Sequence, residues 1–171
     1  MAKVRFTEDY PDAKRKLNGV FFIILQSEMM QRVLAIDYGT KRTGVAVTDE
    51  TQTFAFGLTT VATKDIFKFL SDYVKNHPVE GFVVGEPKRM NNTATDATVH
   101  VEAFIKKLNK EFPSLAIYRM DERFTSAMAK QSIIDSGVKK KGRADKELVD
   151  MVSATIILQS WIALKKVTSD K

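Results

Sequence analysis

The chain has 171 residues, enough for one domain with a buried core, and a composition ordinary for a globular protein, 44% hydrophobic and 28% charged. It has no cysteine, which excludes disulfides, thiolate metal sites and thiol catalysis, and its only histidines are His77 and His100, which argues against a histidine-rich metal centre. Any metal would be a hard cation held by carboxylates, and the net charge of +6 suits either a polyanionic partner or simple solubility.

Residues 1–31 differ in texture from the rest. Their one apolar run, Val20 to Leu25 (VFFIIL), is far below the roughly 20 residues that span a bilayer. The QSEMM that follows offers no small-residue cleavage site, so the expectation is a cytoplasmic chain without a membrane partner. Met29 and Met30 stand just before the first strong strand. The segment is therefore either a start read too far upstream or an extension whose apolar patch packs on the domain.

From Arg32 the pattern becomes regular. Arg32–Asp37 and Thr43–Thr48 read as strands joined by a glycine-containing turn, and Thr53–Val61 as a third that alternates less cleanly. Ile66, Phe67, Leu70 and Val74 recur at helical spacing up to Pro78. Val79–Gly85 reads as a buried strand, Glu86–Thr93 as a polar loop, Thr95–Asn109 as a helix and Leu115–Met120 as a fifth strand. Thr125–Ser136 reads as a helix closed by Gly137, and a last long helix spans about Asp145 to Val167. Three strands on short turns pair antiparallel, and strands reached through helices add in parallel by right-handed crossovers. The predicted fold is α/β: a mixed five-stranded sheet with helices on both faces, the ribonuclease H-like arrangement.

Carboxylates at three places in the chain stand out against this scheme. Asp37 closes an apolar strand, where it can open a turn or be held rigidly as a metal ligand. Asp121 and Glu122 end the fifth strand; strand alternation puts Glu122 on the face of Tyr118 and Met120, and Asp121 on that of Ile117 and Arg119. In the last helix Asp150, Ala154, Ile157 and Trp161 share one face, and a charge on an apolar stripe costs several kcal/mol, roughly, unless it is paired or coordinated. Acids from a first strand, a later strand and a last helix suit metal-dependent phosphodiester hydrolysis, in which carboxylates hold divalent ions. Basic residues recur beside them: Lys41 and Arg42 in the first turn, Lys88 and Arg89 after the fourth strand, and Lys139, Lys140, Lys141 and Arg143 before the last helix. Such runs are either solvated loops or phosphate contacts, and their adjacency to the acids favours contacts to nucleic acid.

Four segments, LAIDYGTKRTGVAVTD, FVVGEPKRMNNT, DERFTSAMA and LVDMVSATIILQSWI, resemble the YqgF/RuvX family in order and spacing, from about Arg32 to Leu164. The resemblance implies a ribonuclease H-like nuclease domain over residues 32–171. It implies a role in processing the 5′ end of precursor 16S rRNA, with Holliday-junction resolution as the alternative and ribosomal particles as possible partners. It further implies Mg²⁺ or Mn²⁺ held by catalytic carboxylates at Asp37, Glu122 and Asp150, with Arg123 as the DER arginine. Two positions depart from the family pattern. Glu86 stands where an apolar residue is usual, and reads as a solvent-facing change in preference to a fourth ligand. Ser153 stands in place of an expected alanine, a change that carries little weight. Two rival readings remain. The first motif also resembles the phosphate-binding hairpin of actin-like ATPases and sugar kinases, which leaves the DER motif and Asp150 without a role. A non-catalytic RNA-binding assembly factor on a nuclease fold is the other.

Overall fold

The computed structural model describes residues 31–86, 96–121 and 145–169. The expected helix at Thr125–Ser136 and the VFFIIL patch lie outside the described residues. Strands β1 (Arg32–Tyr38), β2 (Arg42–Thr48) and β3 (Ala55–Ala62) follow one another on short turns. A 3₁₀ turn at Thr63–Asp65 leads into helix α1 (Ile66–Asn76), then β4 (Val79–Glu86), α2 (Asp96–Glu111), β5 (Ala116–Asp121) and α3 (Lys146–Ser169).

The sheet has the order β3-β2-β1-β4-β5, with β1 at its centre. The β1–β2 and β2–β3 pairs are antiparallel, and the β1–β4 and β4–β5 pairs are parallel, as the spacing of strands and helices predicts. The third strand starts two residues later than its apolar pattern suggests. Thr53 and Phe54 belong instead to the β2–β3 turn, where their N–H groups donate to Asp49 Oδ1 at 2.8 and 2.7 Å.

Alternation along the strands sends side chains to two separate cores. Leu34 and Ile36 of β1, Val45 and Val47 of β2, and Phe82 and Val84 of β4 pack with Ile66 and Leu70 of α1 and with Phe104 and Leu108 of α2. On the other face, Val33, Ala35, Ala46 and Val83 pack with Ala154, Ile157, Leu158, Trp161 and Ile162 of α3. Strands covered on both faces carry unbroken apolar runs, which is why β1 and β4 read as continuously hydrophobic. Length and composition alone would let Lys146–Thr168 cross a membrane, but its apolar stripe is spent on the sheet. The C-terminal end of β1 and the first turns of α3 meet on this second face, and there the acids gather.

Candidate active site

Asp37 follows Val33 and Ala35 at steps of two, so its side chain leaves β1 on the α3 face, at the point where the buried run ends. Its partner across the β1–β2 ladder is Gly44. A Cβ on Gly44 would lie 2.0 Å from the carbonyl oxygen of Asp150, so only glycine lets α3 come down on β2 here. Further out, a Cβ on Gly57 of β3 would lie 2.8 Å from Met151 Cγ. Thr60 Oγ1 adds a hydrogen bond to the Glu147 carbonyl at 2.7 Å. Two glycines and a threonine, on neighbouring strands, therefore seat the start of α3 and bring Asp150 beside Asp37.

The electrostatics follow from that seating. Burial pushes the Asp37 carboxyl up to about 6, and the negative charge of Asp150 pushes in the same direction, while the Ser153 hydroxyl donates to the carboxylate and opposes the rise. Ser153 lies one helical turn after Asp150 and is itself buried. The serine that stands in place of an expected alanine thus hydrogen-bonds Asp37 and carries more weight than its small change of side chain suggests. Its signal was available: Ser153 follows Asp150 at an i, i+3 step. Asp150 is no orphan charge on its apolar stripe. Arg42 Nε donates to its Oδ2 at 2.8 Å, with both side chains only partly exposed, at 36% and 26%.

The turn between β1 and β2 is pinned from outside by the 3₁₀ turn. Thr63 Oγ1 donates to the Gly39 carbonyl at 2.6 Å, and Thr63 N–H to the Lys41 carbonyl at 3.1 Å. Lys41 projects into solvent beside the acids.

Glu86 turns out differently from its expected role. It follows Phe82 and Val84 at steps of two and so faces α2, the side opposite Asp37. There Arg119 bridges it at 2.6 Å and Glu102 at 2.7 Å. The Glu86 side chain is only 12% exposed, so it is a covered ion-pair member and neither a solvent-facing substitution nor a ligand alongside Asp37. Asp121, its partner across the β4–β5 ladder, belongs by alternation to the same α2 face.

Of the residues singled out in the sequence, the structure brings together Asp37, Asp150 and Arg42, with Lys41 exposed next to Arg42 in the chain. Glu122, Lys88, Arg89, Arg123, Lys139, Lys140, Lys141 and Arg143 lie outside the described residues. Among the described residues no group of three acids or histidines converges as a complete metal site, but Asp37 and Asp150 do converge. Two neighbouring carboxylates, one of which raises the cost of ionising Asp37, are a hard-oxygen donor pair, and a divalent cation between them would relieve that repulsion. The residues present therefore fit Mg²⁺ or Mn²⁺.

Comparison with known proteins gives the family and the fold. Residues 31–164 match the family model described as "RuvX: Holliday junction resolvase". A protein of Christiangramia forsetii, described as "Putative pre-16S rRNA nuclease", is 60% identical over 133 residues, which cover 78% of this chain and 98% of that one. A protein of Flavobacterium psychrophilum with the same description is 53% identical over 136 residues, or 80% and 99% of the two chains. The fold is shared with the structure "T. thermophilus RuvC in complex with Holliday junction substrate", at a TM-score of 0.52 and 15% identity, over 79% of this chain and 96% of that one. On the strength of a match that runs from the first residue of the sheet to the last turns of α3, the chain belongs to the YqgF/RuvX family of nucleases with a RuvC-like, ribonuclease H-like fold.

Proposed function

We propose that this protein is a divalent-metal-dependent endonuclease that processes the 5′ end of precursor 16S rRNA. The observation that carries the reading is the convergence of Asp37 and Asp150. They are 113 positions apart in the chain, yet close enough that one charge raises the carboxyl of the other. Both relatives described above carry a pre-16S rRNA nuclease description, and this chain spans nearly their whole length.

Mg²⁺ or Mn²⁺, when bound, supplies a Lewis acid for the phosphodiester and lowers the pKa of water. Asp37 and Asp150 would hold it, and Ser153 keeps the Asp37 carboxylate ionised and oriented by donating a hydrogen bond to it. Arg42 balances Asp150, and its guanidinium suits a phosphate that approaches the two acids. Lys41, exposed on the neighbouring turn, suits a flanking phosphate. Glu122 completes the acid set in this proposal. Tyr118 and Met120 pack against the α3 core, and continued alternation would put position 122 on the same face as Asp37. The loop cations Lys88, Arg89, Arg123, Lys139, Lys140, Lys141 and Arg143 are proposed to extend the grip on the backbone.

The test offers purified protein the 5′ leader of precursor 16S RNA and, separately, a four-way DNA junction, with and without Mg²⁺ or Mn²⁺. Metal-dependent cutting of the RNA, lost in Asp37→Asn and Asp150→Asn, is the expected result. The wording of the family model favours the junction as second reading, and symmetric junction cutting without RNA cleavage would put it first. RNA binding without cleavage of either substrate would leave a binding factor on a nuclease fold.

A further inference from the structure

Directly behind the acids, on the opposite face of the sheet, lies a second feature that the cleavage chemistry does not use. Tyr38 follows Asp37 in β1 and turns to the α1/α2 side. With Thr63, Lys64, Phe67, His100 and Lys107 it lines a cleft of about 310 Å³ between the 3₁₀ turn and α2. Its floor is aromatic. Tyr38 stacks on Phe104 with ring centroids 4.5 Å apart and planes inclined by 25°, and Phe67 meets Phe104 at 5.3 Å.

Its rim is cationic. Lys107 Nζ sits 4.2 Å from the centroid of the Phe67 ring, held by the aromatic face, and Lys64 and His100 are exposed nearby. Among the described residues neither Lys64 nor Lys107 forms an ion pair with a carboxylate, although Asp65 is adjacent in sequence to Lys64. Unneutralised ammonium groups around an aromatic floor match the two needs of single-stranded nucleic acid, phosphate neutralisation and a platform for bases. The position also matches. The same 3₁₀ turn that supplies Thr63 and Lys64 to the cleft holds the Gly39–Lys41 turn beside Asp37. A strand leaving the acids over the end of β1 would pass this turn on its way to the cleft.

We propose that the cleft between the Thr63–Asp65 turn and α2 is a subsite for single-stranded RNA flanking the cleavage point, with Lys64 and Lys107 on its phosphates and His100 beside an unstacked base. The assignment rests on the nuclease reading above and adds to it the face of the sheet opposite the carboxylates.

The experiment measures binding of a fluorescein-labelled single-stranded RNA of about 12 nucleotides, without added divalent cation so that binding is read apart from cleavage. The full chain is compared with the double variant Lys64→Gln/Lys107→Gln, with His100→Ala, and with a control pair of equal charge change on exposed positions of α1, Lys68→Gln/Lys75→Gln. The cleft pair is expected to weaken binding about tenfold and to reduce the salt slope by about 1.4, the share of two phosphate contacts on a single strand, while the control pair stays within about twofold. His100→Ala is expected to weaken binding severalfold, and in cleavage the cleft pair is expected to raise KM with kcat unchanged. If the cleft pair behaves as the control pair while the wild-type protein binds and cuts RNA, the subsite is wrong and the nuclease reading stands. If the wild-type protein neither binds nor cuts RNA, both fall together.

Discussion

At the scale of single residues, the site is organised around a carboxyl group whose ionisation costs the fold something. Asp37 titrates at about 6 where an unfolded chain would titrate near 3.8, because burial and the charge of Asp150 both disfavour its anion. The folded state therefore binds more protons than the unfolded state between those values, and stability falls as pH rises from about 4 to about 6, then levels. Asp37→Asn removes that penalty. The variant is expected to lose cleavage yet be more stable at pH 7, by at most about 3 kcal/mol, with the pH dependence of its urea midpoint flattened between 4 and 6. An Asp37→Asn protein that unfolds would count against a metal-site role, because it would make the acid a structural group. Ser153→Ala removes a hydrogen bond that favours the Asp37 anion, so the Asp37 carboxyl should titrate still higher, which NMR titration of the carboxyl carbon can read. The sequence placed Asp37 and Asp150 as candidates from their context alone: an acid ending an apolar strand, and an acid on an apolar helical stripe. It could not reveal that Arg42 would pair with Asp150, because their spacing of 108 residues has no local signature.

At the scale of elements, the decisive contact is that of α3 with the antiparallel strands. The helix carries Asp150 and Ser153 in its first turns, and its angle and height above the sheet decide whether they reach Asp37. Gly44 and Gly57 set that height, since any side chain at Gly44 would run into the Asp150 backbone itself. Gly44→Ala is therefore expected to destabilise the fold by about 3 kcal/mol, as overpacking against backbone does, measured by urea denaturation. Its surviving folded fraction should cleave poorly because the helix has moved. The strand and helix assignments were legible from periodicity, and the paired order of the strands from the lengths of their connections. The side on which each helix lies came only from the fold. It is this that separates Glu86, ion-paired with Arg119 under α2, from the acids under α3.

At the scale of the whole molecule, the proposed metal binding would be linked to folding, since Asp37 and Asp150 meet only in the native state. Mg²⁺ or Mn²⁺ at about 100 times its Kd is expected to stabilise the wild-type protein by about 2.7 kcal/mol, seen as a raised Tm, and the shift should vanish in Asp37→Asn and Asp150→Asn. Equal stabilisation of wild type and variants would mean that the ion binds elsewhere.

The sequence by itself determined the order of the described elements, the mixed sheet and Asp37 and Asp150 as candidates, because hydrophobic periodicity and chain connectivity are local properties that survive without coordinates. Its four motifs also carried the family. Only the tertiary structure decided what those acids experience. Burial and a neighbouring charge raise the Asp37 carboxyl, Ser153 answers it, and Arg42 of β2 reaches Asp150 on the helix packed above it. Those are distance-dependent interactions between residues far apart in the chain, and distance is what packing α3 against Gly44 creates.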